Sequence, residues 1–425
     1  MVPQGNRVVR DLVFALLATL AVAGCGDEPT PSSPTAPDLK AAARSEDAVR
    51  FATFNASLNR LAEGQLVADL TTTTDAQART VAEIIQRNRP AVLLINEFDF
   101  VAGGEAARLF QDNYLSVSQN GAPPVVYPYR FVAPSNTGIP SGFDLDNSGS
   151  IGGGNDAFGF GAFPGQFGLA VYSTYPIELN AVRTFQTFLW ADMPGALLPD
   201  DPATPQPADY YSPAELGVFR LSSKSHWDLP ISIGGKTVHF LVSHPTPPVF
   251  DGPEDRNGRR NFDEIRFWAD YIMPNRSHYV YDDSGRRGGL VPGEQFVIAG
   301  DLNSDPVDGD SRPGAAQLLL DHPLINSNFT PESEGAIQQA QLQGGANAFQ
   351  RGDPRFDTAD FADGAPGNLR ADYVLPSHSL RVLDGAVFWP LNTDDLFGLV
   401  GVFPFPSSDH RLVWVDLKVG GRRGS

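Results

Sequence analysis

Cysteine is almost absent: the 425 residues contain one, Cys25. A single thiol excludes an intramolecular disulfide and any metal cluster built on several thiolates. Long apolar runs are also missing. The run Leu12 to Gly24 falls short of the about 18 residues that a spanning helix needs, and no other stretch could cross a membrane. Positive charge is in short supply, with 31 Lys and Arg against 50 Asp and Glu, a formal net charge of -19 and a pI near 4.7. Such a chain repels polyphosphate over most of its surface, which argues against a broad nucleic-acid platform but leaves room for a small basic pocket. What is abundant points elsewhere. With 42 Gly, 36 Pro and 41% hydrophobic residues, the chain can bury a sizeable core but is too interrupted for a helical bundle. A loop-rich sheet protein is expected.

The N-terminus reads as a targeting segment. Arg7 and Arg10 precede the apolar run, which ends in Val22-Ala23-Gly24-Cys25. Small residues before a cysteine resemble the bacterial lipobox. That resemblance implies a signal peptide over residues 1–24, cleavage before Cys25, and lipidation of the Cys25 thiol. The plainer alternative is an ordinary secretory signal with an incidental cysteine. Residues 25–48 are rich in Pro, Ser and Thr and read as a tether. A globular domain is expected over 49–419, with a short tail at 420–425. The implied location is extracytoplasmic, in the bacterial cell envelope, as a lipoprotein anchored to the membrane.

Within the domain, short apolar runs alternate with amphipathic helices. Strands are expected at Val49–Asn55, Ala91–Ile95, Phe167–Ser173, Val238–Val242, Phe296–Ala299, Tyr373–Leu375 and Leu412–Leu417. Helices are expected over Ala76–Asn88, stopping at Pro90, and over the aromatic-rich Arg260–Ile272. Two inserts, Pro134–Gln166 and Thr184–Ser222, read as long functional covers or mobile segments.

Polar residues of catalytic type stand where apolar strands end. Glu97 follows Ala-Val-Leu-Leu-Ile-Asn, His244 follows Phe-Leu-Val-Ser, and Asp301 and Asn303 follow Phe-Val-Ile-Ala-Gly. Asp372 opens Tyr-Val-Leu, and Asp409-His410 precede Arg-Leu-Val-Trp-Val. An acid after a strand is most often a turn residue or a cap. Five such positions with complementary chemistry point to a site at the rim of a sheet.

In order, Phe54-Asn55, Asn96-Glu97-Phe98, Ser243-His244, Gly300-Asp301-Leu302-Asn303, Ala371-Asp372-Tyr373 and Ser408-Asp409-His410 resemble the sequence blocks of the endonuclease/exonuclease/phosphatase superfamily. The resemblance covers about residues 49–418, and Asn96 stands where many members have Gln. It implies an α/β fold, a four-layer α-β-β-α sandwich of two mixed sheets (deoxyribonuclease-like), and in-line attack of water on phosphorus. Glu97 would ligate Mg²⁺ or Mn²⁺, with Asn55 and Asp409 nearby, since hard oxygen donors suit these ions. Asp301 would orient or deprotonate the water, and Asn303 would hydrogen-bond a phosphoryl oxygen. His410 would contact the phosphate with Asp372 fixing its tautomer, and His244 would be a second phosphate contact or a proton donor.

Three further features are weaker. Lys224-Ser-His226-Trp-Asp228 offers Lys224 and His226 as a phosphate clamp and Trp227 as a stacking platform, or else is a surface strand with a solvated lysine. Arg256 opens a basic cluster reaching Arg260 that would serve the leaving group, or would simply start a helix. Asp144, Asp146 and Ser148 resemble the start of a calcium loop, making Ca²⁺ a further candidate, although Asn155 replaces the bidentate Glu at the twelfth position. His239, His278, His322 and His378 fit no block. The leading function is hydrolysis of small or lipid phosphoesters by a monomer. A surface nuclease and a non-catalytic anchored binding protein are the alternatives.

Overall fold

Alternation of side chains assigns each strand two faces, and in this chain both faces are covered. A computed structural model describes residues 48–420; the signal peptide, Cys25 and most of the tether and tail lie outside the described residues. One six-stranded sheet contains β1 (Ala48–Asn55), β2 (Val92–Asn96), β3 (Tyr129–Phe131), β4 (Leu169–Ser173), β12 (Arg381–Val387) and β13 (Val413–Lys418), in the order β12-β13-β1-β2-β4-β3. A five-stranded sheet contains β5 (Arg183–Thr184), β6 (His226–Ile233), β7 (Lys236–Ser243), β8 (Gln295–Asp301) and β11 (Asp372–Pro376), in the order β11-β8-β7-β6-β5. A small ribbon pairs β9 (Ala359–Asp360) with β10 (Asn368–Leu369). Each large sheet is mixed: β1 runs parallel to β2 and β7 parallel to β8, with the other pairs antiparallel.

The sheets pack face to face. Val238, Phe240 and Val242 of β7, with Val297 and Ala299 of β8, enter the core shared with β1 and β2. The ring of Phe240 meets that of Phe51 across the interface at 5.6 Å. The intervening Leu241, Phe296 and Ile298 face outward into a second apolar cluster. There the helix Arg256–Tyr271 covers the sheet with Ile265, Phe267, Trp268 and Tyr271. On the far side, the helix Ala76–Asn88 lays Val81, Ile84 and Ile85 against the other sheet. Asp75 caps it through the Ala78 amide at 2.7 Å, and Arg89 closes it in the left-handed region just before Pro90. Helix, sheet, sheet and helix make the four-layer sandwich that the motif order implied.

The two inserts are largely irregular in backbone, as the sequence suggests, but they are tied together. Asn136 is fully buried, and its amide donates to Gln186 O and Ser222 O, each at 2.7 Å, while accepting from Arg220 at 2.7 Å. A buried amide with its donors and acceptor used this way fixes one insert against the other.

Candidate active site

Topology alone brings the motif residues to one edge. Because β1 and β2 are parallel, Asn55 and Asn96 pair at the same end of their sheet. Because β11 is antiparallel to β8, Asp372 at its start lies opposite Asp301 at the end of β8. The two sheets meet there: Asn55 Nδ2 donates to Asp301 Oδ2 at 3.0 Å. Gly300 makes the close approach possible. A Cβ at that position would lie 2.0 Å from Ser243 O, and its φ of 154° suits glycine. Asp301 consequently sits beside the residue after Ser243, with its Oδ2 3.4 Å from His244 Nε2.

The Asp301 carboxylate is the hub. Oδ1 accepts from the Asn303 amide at 2.9 Å, and Oδ2 lies 3.6 Å from His410 Nε2. The other ring nitrogen of His410, Nδ1, is 2.8 Å from Asp372 Oδ2, which also accepts from Thr358 Oγ1 at 2.8 Å. Burial pushes the Asp301 carboxyl up to about 6, with the Asp372 charge adding to the shift and His410 opposing it. Burial alone would lower His410, but the Asp372 and Asp301 carboxylates outweigh it and hold the imidazole well above its ordinary value. His244 goes the other way. Burial, then the Lys224 and His410 charges, push it well below the usual range, and its Nδ1 has no partner among the described residues. The site therefore holds one cationic and one neutral imidazole on either side of a carboxylate.

Two of the motif residues are held at positive φ: Glu97 at 57° and Asn303 at 49°. Asn tolerates this region, whereas for Glu the backbone cost is of order 1–3 kcal/mol, of the kind retained where function needs it. Burial pushes the Glu97 carboxyl up and Asp409 adds to this, against His410, Lys224 and Asn55. Two carboxylates that repel one another form a hard-oxygen pair whose charge a divalent cation would relieve, and the Asn55 side chain beside them turns its N–H to Asp301 and Glu97. The Glu97 and Asp409 carboxylates are of the donor type that suits a hard divalent cation. Asp301, Asp372 and His410 also bring ligand atoms within 4.8 Å of one another, but the hydrogen bond from His410 Nδ1 to Asp372 makes that trio a proton-holding arrangement.

A cavity of about 1050 Å³ opens over these groups. Glu97, Lys224, His244, Asp301, Asn303, Asp409 and His410 supply its polar lining, and Phe160, Phe167, Phe219, Pro247, Pro248 and Phe250 much of its apolar lining. A second cavity of about 880 Å³ shares Phe361, Ala362 and Asp409 with it.

The weaker expectations divide. Lys224 and Arg256 line the cavity, Arg256 paired with Glu254. His226 does not. Its ring is fully buried between Phe267 and Trp268, and its nitrogens contact Ser222 Oγ at 2.7 Å and Glu264 O at 2.9 Å. No ring nitrogen is left for a phosphate, so the expected clamp loses this member. Trp227 points into the core between the sheets, with its ring 5.0 Å from Phe131, and cannot stack on a substrate. Asp144, Asp146 and Asp156 gather as a carboxylate cluster. Their oxygens accept from the Ser148, Gly149, Leu145 and Gly152 amides, which already stabilise the loop.

Three positioning residues escaped sequence reasoning. Arg411 donates to Ser408 O at 2.8 Å and to His410 O at 3.2 Å, pairs with Asp360 at 3.0 Å, and lies over Trp389, so it braces the Asp409-His410 turn from beneath. Glu264 accepts from the Ser223 and Thr246 amides at 2.6 and 2.7 Å, joining the segments that carry Lys224 and His244. Asn261 donates to Thr246 O and Leu302 O at 2.8 and 2.9 Å. Asn261 and Glu264 lie on the helix Arg256–Tyr271, and Arg411 directly follows the Asp409-His410 pair.

Residues 52–410 match the endonuclease/exonuclease/phosphatase family. The chain belongs to that family. Members of the endonuclease/exonuclease/phosphatase family are typically metal-dependent hydrolases that use divalent ions such as Mg²⁺. No curated protein matches the chain. Among solved structures, it is similar to a family protein from Beutenbergia cavernae at 17% identity, covering 88% of this chain and 72% of that one, with a TM-score of 0.47. A family protein from Leptotrichia buccalis is similar at 14% identity, with 88% and 100% covered and a TM-score of 0.43. Sphingomyelinase C from Streptomyces griseocarneus is similar at 12% identity, with 87% and 99% covered and a TM-score of 0.42.

Proposed function

We propose that this chain is a divalent-metal-dependent hydrolase of small or lipid phosphoesters, working by in-line attack of water on phosphorus. One observation carries the reading: the Asp301 carboxylate is held between His244 and His410, at 3.4 and 3.6 Å, and tied to Asn55 of the opposite sheet at 3.0 Å. With a pKa raised to about 6, Asp301 is ionised at neutral pH yet basic enough to accept a proton.

Asp301 takes a proton as the water oxygen bonds to phosphorus and the bond to the leaving oxygen breaks. His410, kept cationic by Asp372, is the imidazole that carries the extra proton and gives the Nε2 proton to the leaving oxygen. The proton on Asp301 then returns to His410 across their 3.6 Å separation, which restores both groups. His244 is neutral and contributes a hydrogen bond in place of a charge. Asn303, whose Nδ2 already donates to Pro245 O at 3.1 Å, has a second amide hydrogen for a phosphoryl oxygen. Glu97, Asn55 and Asp409 would hold a Mg²⁺ or Mn²⁺ ion, which would supply charge neutralisation at the phosphate.

The small-substrate reading rests on charge. A duplex binder spreads several Lys and Arg along a face, whereas this chain is at -19 and brings only Lys224, Arg256 and Arg260 to the cavity. The test is competition at matched phosphate concentration between supercoiled plasmid and a panel of small and lipid phosphoesters, each with Mg²⁺, Mn²⁺ or Ca²⁺. Preferential turnover of the small esters is expected. Plasmid nicking with no turnover of any small ester would move the assignment to a nuclease. We further propose that lipidation at Cys25 anchors the enzyme outside the cytoplasm, the Pro/Ser/Thr tether spacing it from the bilayer.

A further inference from the structure

Two cations that line the active-site cavity are buried and make no direct ion pair. Lys224 is 7% exposed and Arg260 6%, and both line the cavity. Their neighbours Arg256 and Arg259 pair with Glu254 and Asp255. Among the described residues, neither Lys224 nor Arg260 forms an ion pair, and the Lys224 ammonium has no hydrogen-bond partner. Arg260 spends Nε on Leu221 O at 2.8 Å and one Nη on Phe158 O and Arg220 O at 2.5 and 2.9 Å, all of them neutral carbonyls. The carboxylate that acts most strongly on both is Glu264, and its oxygens are already taken by Ser223 and Thr246.

Burial pushes both groups below their ordinary values. Removing a cation from water without a partner is costly, and the cost is recovered when a ligand brings the anion. Two cations that line one cavity and make no direct ion pair there are placed to receive a bound anion. Lys224 feels Glu97 and Asp301 as well as Arg260, whereas Arg260 feels Glu264 and Tyr211. Both line the same cavity as Glu97 and Asp301, with Arg260 against the ring of Phe219 at 4.7 Å.

We infer that Lys224 and Arg260 form an anion subsite beside the catalytic centre, which takes a second anionic group of the substrate, a phosphate or a carboxylate. The inference rests on the phosphoester reading and narrows it: the preferred substrate carries its scissile phosphate and another anion on one small scaffold.

The test uses the full chain and calorimetric binding, without turnover, of three probe series. These are alkyl monophosphates, α,ω-alkanediol bisphosphates with spacers of two to six carbons, and ω-carboxyalkyl phosphates of the same lengths. At the best spacer, the doubly anionic probes should bind about tenfold or more tighter than the monophosphate, the effect of one charge-assisted contact. An advantage confined to the bisphosphates assigns a phosphate; one shared by the carboxyalkyl series assigns either anion. Lys224→Met should erase the advantage. Arg260→Met should do the same but also removes three carbonyl contacts, so Lys224→Met, which breaks no structural hydrogen bond, decides if that variant misfolds. Equal affinity at every spacer length, or an advantage that persists in Lys224→Met, would overturn the subsite. Hydrolysis of bis(p-nitrophenyl) phosphate with Mg²⁺ is measured alongside. Its absence removes the hydrolase reading, whereas an active enzyme that binds one and two anions alike removes only the subsite.

Discussion

Asp372→Asn removes one negative charge at nearly constant volume, and the structure predicts what that charge does. Asp372 Oδ2 accepts from His410 Nδ1 at 2.8 Å and is the strongest influence raising the imidazole against its burial. A hydrogen bond to a charged partner contributes about 1.5–3 kcal/mol, or roughly one to two pKa units. In metal-free protein, the His410 imidazole should titrate lower by that amount, read from its NMR shifts. Asp301 should follow, because the Asp372 charge helps to hold it at about 6. Activity needs Asp301 ionised and His410 protonated, so both limbs of the pH profile of kcat/KM should move to lower pH. At neutral pH the loss should be about 10²-fold, the usual scale of a lost general acid. Stability gives the same sign. A His raised in the folded state contributes stability that is fully present below its unfolded pKa of about 6.5 and is lost as pH rises through the folded value. In Asp372→Asn that dependence should flatten. A His410 titration that stays in place, or a basic limb that moves upward, would refute the reasoning.

Gly300→Ala would place a methyl 2.0 Å from Ser243 O at a φ of 154°, so urea unfolding should show a loss of more than about 3 kcal/mol or no folded protein. His239 lies 2.6 Å from Asp228 and 3.3 Å from Glu294; burial lowers its pKa, but these carboxylates raise it overall. Relative to His239→Gln, the wild-type Tm should therefore be highest below about pH 6.5 and fall as pH rises through the folded pKa, and a gap that widens upward would count against this pair. Cys25→Ser should abolish labelling by radioactive fatty acid and partitioning into detergent, and identical behaviour of both proteins would end the lipoprotein proposal.

The residues at strand ends were legible because a buried strand needs an uninterrupted apolar run, and a polar residue closing such a run stands out. Glu97, His244, Asp301, Asp372 and His410 were all visible in that way, and the registers of β1 with β2 and of β8 with β11 then place their ends together. β6 was not visible. Pro230 interrupts it, and proline argues against a central strand, yet β5 pairs only with Trp227 and Asp228, so Pro230 lies beyond its reach. Without the full strand, His226 reads as a phosphate clamp and Trp227 as a stacking platform, whereas both belong to packed interiors. β12 was lost to an irregularity between Val382 and Asp384 that breaks its alternation. Arg411, Glu264 and Arg260 act through partners distant in sequence, among them Asp360, Thr246 and Phe158. No local pattern encodes such pairings.

The central claim is that Glu97 belongs to a metal site on which hydrolysis depends. The most direct measurement is initial-rate hydrolysis of bis(p-nitrophenyl) phosphate by chelator-treated protein, titrated with Mg²⁺ and Mn²⁺, for the wild type and Glu97→Gln. The account predicts no turnover after chelation, full recovery in the wild type, and a half-saturating metal concentration raised about tenfold or more in the variant. Turnover that survives chelation, or a Glu97→Gln titration that overlays the wild type, would contradict it.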